Sequence, residues 1–326
     1  MPRAPRYIAL TLCLITSGAA AFPLNSKKAP ENTTDLLSIQ QALLTAIPKA
    51  KAATVCIEIS GGSGSGVIIS PDGLIMTAAH VSTGVGKDVV IIMPNGEKLT
   101  GETLGLMAEF DAALVKITSP KPTAGFPTVE IDKTNAPKLG DWIFSLGHSG
   151  GFDKTRGAVA RIGRLVRVAN TTFQTDGTLI GGDSGGPLFD MDGRLIGIHS
   201  RVGQQAGMNM HVPVDVFIGG WDEMLASHFI GEGPFAQKPE KGKGYLGLAT
   251  TNVPDGLKVT KVGKKSPAEA AGIREGDILH TINGTSLATR EEMQALLAEL
   301  AAGDKLEVKL TRTGNDETIL LRLGSR

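Results

Sequence analysis

Short apolar runs separated by turn residues are the feature that most constrains the fold of this 326-residue chain. From Thr54 onward the runs are bounded by Gly, Pro, Asp or Asn, and no helical stretch lies between them. They comprise residues 54–59, 66–69, 74–77, 89–93, 113–117 and 143–146, with two more at 195–200 and 210–214. Because strands joined without helices pair antiparallel, the pattern predicts an antiparallel barrel or sandwich.

Helical periodicity is confined to a few segments outside these runs. Apolar residues recur at helical spacing over residues 35–47, with Asp35 as the expected N-cap. A closing helix is expected over 216–229, and an amphipathic helix over 289–300. The polar, Pro-containing residues 22–34 predict a flexible leader.

The N-terminus is typical of a secretory signal. Arg3 and Arg6 precede an apolar run at 7–15 that is too short to span a bilayer, and three alanines at 19–21 provide a small-residue cleavage site. We expect residues 1–21 to be removed and the protein to reach the bacterial periplasm or the cell exterior, with no membrane span left. The alternative is an uncleaved N-terminal anchor.

Charge and cysteine content exclude several classes of function. Lys+Arg and Asp+Glu both number 33, so no basic excess favours nucleic acid or an anionic membrane surface. Signal cleavage would leave Cys56 alone, so the exported chain would have no disulfide. No Cys, His or acidic cluster has ligand spacing, and we predict neither a metal nor a cofactor.

The composition also divides the chain. Residues 231–243 are rich in Gly, Pro and Lys, which is typical of a linker. This predicts one domain over 35–230 and a second, small domain over 244–326, which has the length of an independent unit.

Three segments carry residue types that suit nucleophilic catalysis. Residues 63–81 form a strand, a Pro-Asp-Gly turn and a second strand that leads to His80. Residues 110–117 place Asp111 at the head of an apolar strand, and residues 174–188 surround Ser184 with glycines.

The chemistry needs these types together. A serine hydroxyl is a weak nucleophile, so a neutral imidazole must take its proton and later deliver it to the leaving amine. A buried carboxylate holds the imidazole tautomer and stabilises the imidazolium. Gly182 lets the backbone turn so that its N–H, with that of Ser184, faces the developing oxyanion.

Chain order distinguishes this constellation from a similar motif. Residues 182–186, Gly-Asp-Ser-Gly-Gly, also match the Gly-x-Ser-x-Gly turn of α/β-hydrolases, in which the acid and the histidine follow the serine. Here His80 and Asp111 both precede Ser184. An esterase of that class would require a histidine after Ser184 to act in place of His80.

With these motifs, the chain from Ala53 to Arg326 resembles the HtrA/Deg-type serine proteases. The resemblance implies a mainly β fold, a chymotrypsin-like double antiparallel β-barrel followed by a small α+β PDZ domain. It implies that His80 is the general base, Asp111 its orienting acid and Ser184 the nucleophile, with Gly182 and Ser184 forming the oxyanion hole.

The sequence departs from the family pattern beside the nucleophile. Asp183 stands where the family usually has Asn, and Asp is typical of digestive relatives in which it pairs with a newly freed N-terminus. No activation cleavage site is evident, so Asp183 requires another partner. His148 and Ser149 replace the family's Asn-Pro after Gly147.

The resemblance also locates the pocket for P1, the substrate residue before the cleaved bond. It implies a pocket lined by His199, Ser200 and Arg201, with its base near Thr178 and with His211 on the next strand. No Asp stands at the base, which argues against cleavage after Lys or Arg. Two readings stay open: an acidic or polar P1, as in glutamate-specific endopeptidases that carry a histidine at the His199 position, or a small aliphatic P1 beside neutral histidines.

The C-terminal segment resembles a PDZ domain. Tyr245, Leu246, Gly247 and Leu248 match the loop whose backbone N–H groups capture a C-terminal carboxylate, and the helix at 289–300 would form the other groove wall.

Together these features predict an exported serine endopeptidase. It would hydrolyse peptide bonds of misfolded or peptide-tailed proteins, with the PDZ domain capturing hydrophobic C-termini. The family resemblance implies a homo-oligomer, a trimer in some members. The alternative is a proteolytically inactive PDZ scaffold or holdase chaperone.

Overall fold

The computed structural model describes residues 22–59, 61–132, 137–202 and 208–325. The predicted signal at residues 1–21 lies outside the described residues. None of the helices within these ranges combines the length and apolar character that a bilayer crossing requires.

The chain enters the fold through a packed segment. A 3-10 helix at Pro23–Ser26 buries Leu24, which is 4% exposed. The Asn25 side chain accepts a hydrogen bond from the Trp142 N–H at 2.9 Å. The prediction of a flexible leader over 22–34 is therefore wrong for these residues, because one apolar side chain and one amide anchor them to the second barrel.

Helix α1 spans Thr33–Ala53 and is longer than the predicted 35–47. Its N-cap is Asn32, whose side chain accepts from the Asp35 N–H at 3.0 Å. Asp35 therefore lies in the first turn and is not the cap, since its carboxylate accepts from the Glu31 N–H and pairs with Lys27.

Six strands close the first barrel in the order β5-β4-β1-β2-β3-β6, with a β5–β6 pairing. Its strands are β1 Thr54–Ile59, β2 Gly62–Ile68, β3 Leu74–Thr77, β4 Asp88–Ile92, β5 Lys98–Met107 and β6 Ala112–Ile117. A one-turn helix, α2 at Ala79–Ser82, follows β3. Because β3 pairs with β6, the residues just after β3 and just before β6 lie close together.

The second barrel is also closed, in the order β10-β11-β12-β9-β8-β7. Its strands are β7 Trp142–Gly147, β8 Val159–Ala169, β9 Thr172–Thr175, β10 Pro187–Asp190, β11 Leu195–Val202 and β12 Asn209–Pro213. One core of buried residues contains side chains from α1 and from both barrels, so these elements fold as one body.

Two short helices, rather than one, end this body. Helix α3 spans Val214–Gly219 and α4 spans Trp221–Leu225, with Gly220 between them. A Cβ at Gly220 would lie 2.6 Å from the Met107 sulfur, so the chain breaks where it packs against β5. Strand β13 at Phe229–Ile230 then adds parallel to β5, which corrects the predicted helix over 216–229.

The predicted linker contacts the regions on both sides of it. Phe235 packs against a buried cluster that includes Leu106 and Ala108 of the first barrel. Lys241 forms an isolated bridge with Ala301 of the C-terminal region. The linker bounds at 231–243 stay a prediction.

The C-terminal region has its own core and a sheet in the order β15-β16-β17-β19-β20. The strands are β14 Gly244–Tyr245, β15 Leu248–Val253, β16 Gly256–Val262, β17 Ile278–Ile282, β18 Thr285–Ser286, β19 Lys305–Arg312, β20 Asn315–Arg322 and β21 Gly324–Ser325. Helices α5 at Pro267–Ala270 and α6 at Arg290–Ala298 complete it, capped by Ser266 and Thr289. The predicted mainly β fold, a chymotrypsin-like double barrel followed by an α+β PDZ domain, is confirmed.

Candidate active site

His80 and Asp111 meet because the strand pairing brings α2 beside the start of β6. The His80 Nδ1 atom lies 2.9 Å from both carboxylate oxygens of Asp111, and the His80 backbone N–H donates to Oδ1 at 3.0 Å. Asp111 is fully buried, and its φ of +63° turns the carboxylate toward the ring. Two bonds to one residue fix both the orientation and the tautomer of the imidazole, since Nδ1 must carry the proton to donate.

Ser200 joins this pair to Ser184. The Ser200 hydroxyl donates to Asp111 Oδ2 at 2.5 Å, and the Ser200 carbonyl accepts from the Ser184 hydroxyl at 3.4 Å. Among the described residues, no hydrogen bond joins the Ser184 hydroxyl to His80. Such catalytic bonds often tighten only when substrate binds. The sequence did not indicate that Ser200 holds the acid, because only the tertiary structure brings the two residues together.

The backbone before Ser184 has the geometry of an anion site. The Gly181 carbonyl accepts from the Gly150 N–H at 2.6 Å. Because a trans peptide points its C=O and N–H in opposite directions, the Gly182 N–H faces away from Gly150. Within the described ranges, neither the Gly182 N–H nor the Ser184 N–H donates to another residue. Two such unpartnered donors flanking one residue can bind an oxyanion.

Gly182 could not be another residue. Its φ is +92°, and a Cβ there would lie 2.4 Å from the His148 carbonyl oxygen. The loop containing His148 and Ser149 therefore packs directly behind the anion site.

Asp183 is fully buried and forms an ion pair with Arg161. Its Oδ2 lies 3.0 Å from Nη2 of Arg161, and its Oδ1 accepts from the Ser149 hydroxyl at 2.6 Å. Arg161 is a functional candidate that sequence reasoning missed, because nothing in its neighbourhood on β8 marks it.

Ser200, predicted for the P1 pocket, bonds to Asp111 instead, and the other predicted pocket residues divide into two sets. His199 on β11 and His211 on β12 are paired across the two strands, and they are 0% and 1% exposed. A hydrogen bond of 2.9 Å connects their Nδ1 atoms. The His211 Nε2 atom lies 2.8 Å from the Thr175 hydroxyl. By contrast, Thr178 is exposed, and the Arg201 guanidinium lies 5.1 Å from the centre of the Phe235 ring in the linker.

Both histidines of the pair are neutral near pH 7. Burial, together with the positive charge of Arg161, lowers the pKa of His199 to about 3. Burial and the neighbouring His199 hold the pKa of His211 well below its ordinary value. A shared Nδ1 contact also requires that one ring donates and the other accepts.

A second candidate site lies in the C-terminal domain. A groove of about 530 Å³ runs between the segment at 244–250 and α6, and Tyr245, Leu248, Met293 and Leu297 are among its lining residues. The carbonyls of Leu246 and Gly247 accept from Ala268 and Gly263, and a φ of +80° at Gly247 turns the loop. In the described part of the chain the N–H groups of Leu246 and Gly247 donate to no residue, so they can bind a carboxylate.

Each of the two regions that contain these sites matches a known family. Residues 64–198 match a family described as "Trypsin-like peptidase domain", and residues 244–323 match "PDZ domain". A "Probable periplasmic serine endoprotease DegP-like" of Hahella chejuensis is 30% identical over 271 residues, covering 80% of this chain and 57% of that protein. A protein of the same description from Marinomonas sp. is 31% identical over 276 residues, covering 81% and 57%.

A solved structure shares the fold. The "HtrA-type protease AlgW with tripeptide" superposes with a TM-score of 0.50 at 20% identity, covering 87% of this chain and 97% of that chain. The present chain spans a little over half the length of the curated relatives it matches, 57% for the first of them.

Proposed function

The chain belongs to the HtrA/Deg-type family of serine proteases, and from that premise we propose that it is a serine endopeptidase acting on misfolded or peptide-tailed proteins. The observation that carries the proposal is that the buried Asp111 carboxylate accepts hydrogen bonds from both the backbone N–H and the ring of His80. Ser200 links Ser184 to the same carboxylate, since its hydroxyl donates to Asp111 and its carbonyl accepts from the Ser184 hydroxyl.

The reaction follows from this geometry. His80 takes the Ser184 proton as the oxygen attacks the substrate carbonyl, and Asp111 stabilises the imidazolium that forms. The N–H groups of Gly182 and Ser184 bind the oxyanion. His80 then protonates the leaving amine, the peptide bond breaks, and a water activated by His80 hydrolyses the acyl-enzyme to release Ser184.

The P1 residue is proposed to be small and uncharged. The two histidines that the proposal assigns to the pocket wall, His199 and His211, are neutral, and the cationic Arg201 side chain is directed toward Phe235. A neutral wall provides no charge to compensate a desolvated carboxylate. Cleavage-site profiling on a peptide library should show Val or Ala at P1, and a dominant Glu or Asp would refute this assignment.

The groove of the C-terminal domain is proposed to bind hydrophobic C-termini. Its lining is apolar, and two of its N–H groups have no partner among the described residues, which suits a C-terminal residue that carries a free carboxylate and an apolar side chain. A fluorescent peptide ending in Val should bind, and its C-terminally amidated form should not.

Location and assembly extend the proposal. The relatives named periplasmic, together with the signal expected at 1–21, support export to the periplasm.

Helix α1 exposes Leu36, Leu37 and Leu44 at 57%, 56% and 62%, which supports association with further copies, with a homotrimer as the proposed state. Light scattering of the mature protein tests it, and a monomer would refute it.

Labelling with a fluorophosphonate probe tests the enzymatic activity. Wild type should label and cleave casein, and Ser184→Ala should do neither. An unlabelled, folded wild type would favour the alternative of an inactive PDZ scaffold or holdase. Substitution of His80 by Ala should abolish labelling, whereas an α/β-hydrolase mechanism would depend on a later histidine.

A further inference from the structure

A second buried carboxylate lies directly beside the nucleophile. Asp183 precedes Ser184 and is 0% exposed. In addition to Arg161 and Ser149, the Ile180 N–H contacts this carboxylate, donating a hydrogen bond to Asp183 Oδ2 at 2.9 Å. A carboxylate at this depth is stable only when its charge and lone pairs are compensated, so each partner constrains where Asp183 can lie.

Arg161 compensates that charge from the wall of the second barrel. It lies on β8 opposite Ser145 of β7, and its side chain is 18% exposed. One atom, Nη2, contacts both Asp183 Oδ2 at 3.0 Å and the Ser149 hydroxyl at 2.7 Å. Among the residues that the structure describes, Arg161 is the cation within ion-pair distance of Asp183.

The position of Asp183 determines the direction of both oxyanion donors. The Ser184 N–H belongs to the peptide plane that follows Asp183, and the Gly182 N–H lies one plane further back. Moving Asp183 out of its site would therefore reorient the Ser184 N–H directly and displace the Gly182 N–H through Gly182. The space on the inner side is closely fitted: a Cβ at Gly147 would lie 2.5 Å from Asp183 Oδ1. The inward carboxylate is therefore part of what holds the two N–H groups toward substrate.

We propose that Arg161 is a positioning residue, whose ion pair with Asp183 holds the oxyanion loop in its active form without a freed chain N-terminus. The proposal rests on the proposed function, since it concerns the hydrolytic site. Because the cation is built into a barrel strand, it is present as soon as the barrel has folded, and no proteolytic activation is required.

Kinetics of Arg161→Met against Arg167→Met test the assignment. Arg167 lies on the same strand with its side chain exposed, so it controls for the loss of an arginine from β8. We expect kcat for Arg161→Met to fall by roughly 10²-fold, as when an oxyanion donor is lost, with KM changed less than about threefold. Inhibition by a peptide aldehyde, whose adduct needs the same donors, should weaken in parallel. If Arg161→Met folds and its kcat equals that of Arg167→Met, the proposal is overturned.

A charge test separates compensation from packing. If the defect is an uncompensated Asp183, then adding Asp183→Asn to Arg161→Met should restore kcat at least tenfold, and Arg161→Lys should retain more activity than Arg161→Met. No recovery in the double variant, with equal loss in Lys and Met, would overturn the charge role. If Arg161→Met does not fold, the double variant is compared with wild type: activity within tenfold supports the proposal, and a folded but inactive double variant refutes it.

The N-terminus provides an independent test. Wild type carrying an N-terminal tag should keep kcat/KM within about twofold of the untagged mature protein. A requirement for tag removal would overturn the proposal, whereas an inactive untagged wild type would instead refute the proposed function.

Discussion

The active site and the peptide groove of this protein are built from different chemical groups. The active site brings together side chains from α2, from the residue before β6, from β11 and from the loop before β10, and their polar atoms share hydrogen bonds. The groove presents backbone N–H groups of one short loop beside an apolar helix face. Function is therefore sensitive to side-chain chemistry in the first region and to backbone conformation in the second.

The largest effect is expected at the acid. Asp111→Asn keeps the shape but offers an amide to His80, which favours the wrong imidazole tautomer and cannot stabilise the imidazolium. We expect kcat to fall by about 10⁴-fold with KM little changed, measured by peptide hydrolysis. A loss below tenfold would mean that the proposed pairing is not used in the reaction.

Acid should destabilise the two-barrel region, which contains His199 and His211. In the unfolded chain His199 and His211 take up protons near pH 6.5, whereas in the folded protein His199 stays neutral down to about 3. The unfolded state thus binds more protons, so stability is full above pH 6.5 and is lost as pH falls toward 3. Between pH 6.5 and 5 the expected loss from His199 is about 2 kcal/mol.

Urea unfolding followed by tryptophan fluorescence measures this in the full chain. The sequence has two tryptophans, Trp142 on β7 and Trp221 on α4, and both belong to the two-barrel body. His199→Asn should flatten the pH dependence, while His280→Asn in the C-terminal domain should leave it unchanged. Identical slopes in all three proteins would contradict the prediction.

Ser200→Ala should have a smaller effect. It removes one hydrogen bond to the buried Asp111 carboxylate and leaves the Ser200 carbonyl in place. A hydrogen bond to a charged group contributes about 1.5–3 kcal/mol, so we expect kcat to fall by roughly 10- to 100-fold. Ser200→Thr, which keeps the hydroxyl, is the matched control and should retain more activity than Ala.

The smallest effect is expected in the groove. At Gly247, with φ +80°, a Cβ would lie 2.2 Å from the Ser266 Cβ, so Gly247→Ala must distort the loop. We expect the Kd for a C-terminal peptide to rise by about tenfold or more, equivalent to about 1.4 kcal/mol. Hydrolysis of a short peptide that does not occupy the groove should be unchanged.

Gly314→Ala is the matched control for that variant. Its φ is +84° in the same domain, but nothing lies within 4 Å of the added Cβ. It should lose some stability and keep its peptide affinity. Equal loss of binding in both variants would indicate general destabilisation.

Local pattern was sufficient for much of this protein. The short apolar runs predicted eight of the twelve strands of the two barrels, because an apolar run and its turn residues act over a few positions. Strands β5, β8, β9 and β10 were not among the predicted runs, and the fold class is confirmed. His80, Asp111 and Ser184 could be nominated because glycines, strand ends and chain order mark them. Where prediction failed, as at 22–34 and 216–229, burial of Leu24 and the close packing of Gly220 against Met107 overrode local propensity.

The amino-acid sequence by itself determined which side chains are available for catalysis and that the strands pair antiparallel. Only the tertiary structure decided which buried polar groups meet: Ser200 with Asp111, Arg161 with Asp183, and His199 with His211. The physical reason is that hydrogen bonds and ion pairs act over a few ångströms in space, while the residues that form them lie many positions apart along the chain.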